Sequence, residues 1–440
     1  MGEGQFHRGK KMKKVFEQMF QLKKEGTTIR TELLAGMIGF FTVVYIIVVN
    51  SSILSEAGMS YEGVVIATIF ISVVGCFIMG FWANLPLILM PGMGINALFA
   101  YSLVNTMGLS FEQALAVVVL SGIIFMVLAF TPLARKLNEA IPLVLKQAIT
   151  VGLGFFLILL GLEKGGIVTR GSHSILALGK LDDPAVLATI LTLFVTMILV
   201  IRKVPGGFLV SLIIGTIIGY FFGINGKVSA GALSLTPFKE VFFKLDFSGI
   251  TEVAFWSGVF SLTMVVVFET VGLTYGQVRQ LKHEERLPRV IQASSVTVFL
   301  SGIFGTSPTV SALESGSMIA SNAKTGLASI TTGVLFLCSL FLMPFLSVIP
   351  NSAVAPILVI IGMSMVQELK EMDLKNPANS FSSLLIIVII PFAYSIADGI
   401  AAGFIAYPIL HLFVKKEEKI SPVMYVIAAL FLAQYILQWI

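Results

Sequence analysis

Long apolar runs, separated by short polar joints, make up nearly the whole chain. Runs of roughly 17 to 25 residues are long enough to cross a bilayer as a helix, and they recur from Leu33 to the C-terminus. With that length as the ruler, a first set of spans falls at residues 33–54, 62–81, 87–104, 111–133, 142–162, 185–201 and 206–223. A second set falls at 250–275, 288–304, 308–322, 327–349, 353–367, 380–396 and 397–414. The pattern predicts an all-α polytopic membrane protein of fourteen transmembrane helices. Residues 421–440 add an apolar segment that reads equally as a fifteenth crossing or as a helix lying at the interface.

Two sets of seven place an odd number of crossings in each half, so a second half of the same fold must sit inverted relative to the first. Two inverted repeats of seven helices are the arrangement of many secondary transporters. The third span of each half strengthens that reading. In the first half it contains Met90-Pro-Gly-Met-Gly-Ile-Asn-Ala-Leu-Phe-Ala-Tyr101, and in the second it is the polar stretch at 305–320. Both are interrupted by Pro and Gly, and interrupted segments at matching positions point to a binding site near the midplane. Two unrelated kinks in ordinary helices are the alternative.

The stretch at 305–320 carries Glu314 among Thr306, Ser307, Thr309, Ser311, Ser315 and Ser317. Lipid does not tolerate such a segment, so it must face protein or a water-filled cavity. Gly305 permits a bend, Thr306 or Ser307 can cap, and Pro308 suits a first helical turn; a half-helix is therefore expected to begin there, its free N–H groups facing the membrane centre. Glu314 would accept N–H groups of a heterocycle. The other acids deep in apolar spans are Glu269 and Asp398. Glu269 reads as a proton carrier or ligand acceptor, with a purely structural carboxylate as the alternative; Asp398, in Ser395-Ile-Ala-Asp-Gly399, reads as a helix-start cap. Asn96 could bond a ligand or tie the interrupted segments together. Phe99 could stack on a flat ring or simply pack, and Thr42, Tyr45 and Asn50 lie at helical spacing in the first span.

Composition closes off other classes. Of 440 residues, 56% are hydrophobic and 12% charged, with a mean hydropathy of +0.95, which leaves little room for a soluble domain. The net charge of +5 sits in short loops. His7, Arg8, Lys10, Lys11, Lys13, Lys14, Lys23, Lys24 and Arg30 precede the first span, and Arg135, Lys136, Arg202, Lys203, Arg279, Lys282, Arg286, Arg289, Lys324, Lys370, Lys375, Lys415, Lys416 and Lys419 occupy alternate loops. The positive-inside rule then puts the N-terminus in the cytoplasm and removes nucleic acid as a partner. No cleavable signal peptide is expected. Cys76 and Cys338 read as packing residues with no disulfide, and His7, His173, His283 and His411 form no central relay. No nucleophile motif, metal spacing or phosphate loop is present, which argues against an enzyme, a metal site, a cofactor and an ATP-driven pump.

At these residues the chain resembles the azaguanine-type purine permeases, a branch of the nucleobase–ascorbate transporter family. The likeness runs from Gly26 to about Leu412. Its specific points are the Met90 to Tyr101 motif, Ile141-Pro-Leu-Val-Leu-Lys-Gln-Ala-Ile149, Phe268-Glu-Thr-Val-Gly272, Gly305-Thr-Ser307 with Glu314-Ser315, and Tyr394-Ser-Ile-Ala-Asp-Gly-Ile400. The resemblance implies a core domain (31–133 plus 250–349) and a gate domain (142–223 plus 353–414), with repeats at 31–224 and 250–414. It implies a basic cytoplasmic segment at 1–30, an extracellular linker at 225–249 and a C-terminal apolar segment at 415–440. It further implies short strands before interrupted helices three and ten, and a purine base bound between them.

The expected binding residues are Glu314, Glu269, Ala312, Leu313, Ser315, Asn96, Phe99 and Thr42, with Glu269 and Glu314 as the proton-coupling pair. The resemblance also implies proton-coupled uptake of guanine, hypoxanthine or adenine by an elevator-like motion in the plasma membrane, and a homodimer through the gate domain. The branch usually has Asp at the position of Glu269, Thr at Leu273, Ser-Ala-Ala-Gly after the carboxylate where this chain has Ser315-Gly-Ser-Met318, and Pro at Ser51. These departures alter cavity size and hydrogen bonding. Xanthine, uracil or a small anion on the same fold, and a channel or sensor without coupled transport, are the alternative expectations.

Overall fold

The computed structural model describes residues 17–133, 139–171, 174, 176–224, 234–346, 348–414 and 420–439. His7, Arg8, Lys10, Lys11, Lys13, Lys14, Arg135, Lys136, His173, Lys415, Lys416 and Lys419 lie outside them. Helix α1 (Ile29–Val43) starts behind Thr28, whose hydroxyl accepts the Thr31 N–H, and α2 (Ile46–Ser55) continues it after a turn at Val44 and Tyr45. Helix α3 (Tyr61–Ile78) is capped by Ser60 and runs into a π turn. Strand β1 (Leu89–Pro91) follows, then α4 (Met93–Ala97) and a π segment, Leu98–Thr106. Helix α5 (Phe111–Ala129) opens with a reciprocal Ser110 and Gln113 cap.

Helix α6 (Leu143–Lys164), the small hairpin of β2 (Val168–Thr169) and β3 (Ala177–Leu178), α7 (Pro184–Ile201) and α8 (Gly207–Phe221) complete the first half. The second half is built of α9 (Val253–Leu281), α10 (Leu287–Phe304), β4 (Thr309–Ser311), α11 (Ser315–Ala320), α12 (Gly326–Cys338) and α13 (Met343–Leu346), followed by α14 (Asn351–Val366), α15 (Pro377–Phe392), α16 (Ile396–His411) and α17 (Pro422–Trp439). Among the described residues, nine helices are long and apolar enough to cross a membrane, and four more apolar helices are shorter. The spans at 87–104 and 308–322 are interrupted, as expected, with a three-residue strand ahead of the helical part of each.

Packing sorts the helices into two groups. In one, α12 lies on α1 and α3, and α5 lies on α9 and α10; in the other, α14 and α15 lie on α6, α15 on α16, and α7 on both α8 and α14. Close crossings rely on missing side chains. A Cβ on Gly362 of α14 would sit 2.4 Å from the Gly154 carbonyl oxygen of α6. Gly362→Ala is therefore expected to cost about 1–3 kcal/mol by overpacking, seen as a lower apparent melting temperature in detergent.

Three expectations need correction. No half-helix begins at Gly305–Pro308; Gly305, at φ +80°, ends α10, Thr309–Ser311 is extended, and α11 starts only at Ser315. The cause is the β-branched pair Thr309 and Val310, which goes extended once β1 offers its backbone as partner. Asp398 does not cap α16: the Ser395 hydroxyl accepts the Asp398 N–H, and the Asp398 carboxylate instead accepts the Tyr435 hydroxyl at 3.0 Å. Cys338 is exposed rather than packed, while Cys76 is buried. Residues 422–439 form a helix whose Phe431 contacts Phe260 of α9 and Phe404 of α16.

Candidate functional site

The two interrupted segments meet through β1 and β4, which pair antiparallel with Leu89 opposite Ser311, Met90 opposite Val310 and Pro91 opposite Thr309. All six residues are buried. Backbone groups so far from water must find partners inside the protein, and each strand supplies the other's. The pairing extends past both ends, with Gly92 N–H donating to Pro308 O at 3.2 Å and Ala312 N–H to Ile88 O at 2.8 Å. Ser315 completes it by accepting the Ile88 N–H on its hydroxyl at 3.0 Å.

Thr306 and Ser307, freed from capping, serve a buried hub. Asn50 of α2 donates to Thr68 of α3 at 2.8 Å and to Thr306 at 3.0 Å, and the Ser307 hydroxyl donates to Asn96 Oδ1 at 2.6 Å. All five side chains are fully buried, so each bond replaces one that water would have made. Asn50 is thus occupied in joining helices, not in lining a cavity with Thr42 and Tyr45. Asn96 ties the interrupted segments together, and its Nδ2 is buried with no partner. Phe99 is wholly buried in the apolar core.

Glu314 stands immediately before α11 and makes no cap bond to it. Its Oε1 accepts the Tyr45 hydroxyl at 2.5 Å, at the turn between α1 and α2. Thr42, one turn earlier, meets the Ser317 hydroxyl at 3.0 Å. Together Thr42 and Tyr45 fix the start of α11 against α1. Tyr45→Phe leaves the part-buried Glu314 oxygen without this donor and is expected to cost about 1–3 kcal/mol, seen as a lower apparent melting temperature in detergent.

The second carboxylate is placed differently. Glu269 lies within α9, and its Oε2 is buried without any hydrogen-bond partner. No hydrogen bond joins Glu269 to Glu314 among the described residues. Two turns along α9, Gln277 reaches the site instead: its amide donates to the Ala312 carbonyl at 2.7 Å and accepts the Ser311 hydroxyl at 2.6 Å. Gln277 was missed from sequence. Its only signal was a long polar side chain in an apolar helix beyond Glu269.

Space is left on this side of the site. A Cβ built on Gly272, Gly276 or Gly316 would meet nothing within 4 Å, and Leu313 is 61% exposed. Leu313 therefore faces open space, whereas Ala312 is buried and engaged through both its N–H and its carbonyl. A separate cavity of about 840 Å³, which none of these residues lines, is bordered by Lys164, Arg170, Lys180 and Asp183 among others. Among the described residues no group of His, Cys, Asp and Glu is arranged to hold a metal ion. The arrangement offers two carboxylates with unequal partners beside an opening, suited to binding N–H donors.

Comparison with known proteins adds three findings. Residues 30–402 match the permease family. A nucleobase transporter of Paenibacillus larvae is 48% identical over 381 residues, 86% of this chain and 76% of that protein, and a guanine/hypoxanthine permease of Bacillus subtilis is 35% identical over 429 residues, 94% of this chain and 99% of that one. In fold, the chain is similar to the transmembrane domain of a cyanobacterium bicarbonate transporter, with a TM-score of 0.65, 16% identity, and coverage of 85% of this chain and 97% of the other.

Proposed function

The chain belongs to the permease family, and on that premise we propose that it takes up a purine nucleobase, guanine, hypoxanthine or adenine, together with a proton across the plasma membrane. The observation that carries this is the paired strand-led segments, which put Glu314 at the start of α11 with one oxygen on the Tyr45 hydroxyl, beside an α9 whose Glu269 has an oxygen to spare. A purine presents ring N–H groups next to acceptors. Glu314 accepts the former. Two carboxylates disfavour an anion, which speaks against a bicarbonate-like cargo despite the shared fold.

The proton is assigned to Glu269 and Glu314, with Glu269 first, because its unpartnered oxygen is completed either by a proton or by a ligand hydrogen. The two packing groups serve as core (31–133 plus 250–349) and gate (142–223 plus 353–414) of a fourteen-helix inverted repeat. The core moves against the gate in an elevator-like step, the N-terminus lies in the cytoplasm, and the gate carries a dimer contact. No resident cofactor takes part.

Uptake of labelled guanine, hypoxanthine and adenine into cells lacking their own purine uptake tests the reading, with xanthine, uracil and small anions as competitors. Saturable purine uptake that the anions do not compete away is expected. Flux that never saturates would favour a channel, and binding without flux a sensor.

A further inference from the structure

At the end of the molecule away from Arg286, residues of both packing groups are tied together. The span Ile29–Ser55 begins beside Glu25, which pairs with Arg286, and ends at Glu56. There the Lys164 ammonium at the end of α6 pairs with Glu56 Oε1 and donates to the Ser52 carbonyl at 3.3 Å. The Tyr101 hydroxyl occupies the other oxygen, Glu56 Oε2, at 2.7 Å. Nearby, the rings of Tyr101, Phe156 of α6 and Tyr394 make three edge-on contacts with centroids 5.2 to 6.4 Å apart. The Ser102 hydroxyl accepts the Ile396 N–H of α16 at 3.0 Å.

The opposite end differs. Toward Arg286, Gly272 and Gly276 on α9 and Gly316 on α11 face open space, and Tyr275 is 47% exposed. One end is bridged across the two groups, while at the other these positions on α9 and α11 stand open. The bridge is also built to part. The Lys164 side chain is 10% and that of Glu56 40% exposed, and Lys164 lines the cavity of about 840 Å³. Water can therefore reach both charges as they separate, so parting leaves no buried, unpaired ion. A permanent seam would be better served by apolar contact alone.

We propose that Glu56, Lys164 and Tyr101 form the outer latch of this transporter, closed when the site opens to the cytoplasm and broken when it opens outward; the proposal rests on the transport reading above. A latch of this kind biases a two-state equilibrium without touching substrate. Cysteine accessibility reads that bias directly. Gly316→Cys in a Cys338→Ser background puts a thiol beside Glu314 where a Cβ has room, and Cys76 stays buried.

In right-side-out vesicles, labelling by a membrane-impermeant thiol reagent is expected to rise about threefold to tenfold with Lys164→Met, Glu56→Gln or Tyr101→Phe, the range one partly exposed polar bridge supports. The swapped pair, Glu56→Lys with Lys164→Glu, should return labelling toward the parent level. Monodisperse elution of each variant separates opening from misfolding. Unchanged labelling in folded variants, with purine uptake intact in the chain carrying native Gly316, overturns the latch alone. Absent uptake in that native chain overturns the transport reading, whatever the labelling shows.

Discussion

Glu314→Gln is expected to lower saturable purine uptake at least about a hundredfold while leaving the protein folded. The carboxylate accepts on both oxygens, and Tyr45 uses only one. An amide keeps a single acceptor and turns an N–H₂ toward the ring N–H groups, so attraction becomes a clash of donors. Each bond to a charged group contributes about 1.5–3 kcal/mol, and losing two gives a factor of roughly 10² to 10⁴. The fold does not depend on the charge, because α11 makes no cap bond to Glu314 and the β1–β4 pairing holds the segment independently. Equilibrium binding of labelled base, measured beside uptake, separates loss of the site from loss of turnover. A variant that binds and transports normally removes Glu314 from the site.

The second large effect belongs to Glu269. Glu269→Gln fixes a neutral group where the parent can gain and release a proton, so accumulation driven by a pH gradient is expected to disappear. Exchange of labelled for unlabelled base across the membrane should survive, since it needs the loaded carrier to move but no net proton transfer. The two assays therefore split the roles of the carboxylates: Glu314→Gln should abolish both, and Glu269→Gln only the driven one. Parent-level accumulation in Glu269→Gln would assign the coupling proton elsewhere. The structural basis is the inequality of partners, with Tyr45 on Glu314 and an empty buried oxygen on Glu269.

Much of the site was legible in the sequence because membranes make polarity expensive. Glu269 and Glu314 stood out against apolar spans, and Pro91, Gly92, Gly305 and Pro308 marked both interruptions. What stayed hidden depends on register between segments far apart in the chain. Leu89 pairs with Ser311 and Tyr45 with Glu314, and no local pattern encodes either match. The start of α11 was misplaced for a related reason. Pro308 is equally suited to a first helical turn and to a strand edge, and only the presence of β1 selects the strand. Gln277 escaped because a lone amide in a helix is weak evidence until the carbonyl it meets, that of Ala312, is known.

The most direct test of proton-coupled purine transport is accumulation of labelled hypoxanthine or guanine in proteoliposomes under an imposed pH gradient, with and without a protonophore. Saturable accumulation above the external concentration, collapsing when the protonophore is added, is the predicted result. Saturable uptake indifferent to the protonophore would contradict the coupling, and no saturable uptake of any purine would contradict the account as a whole.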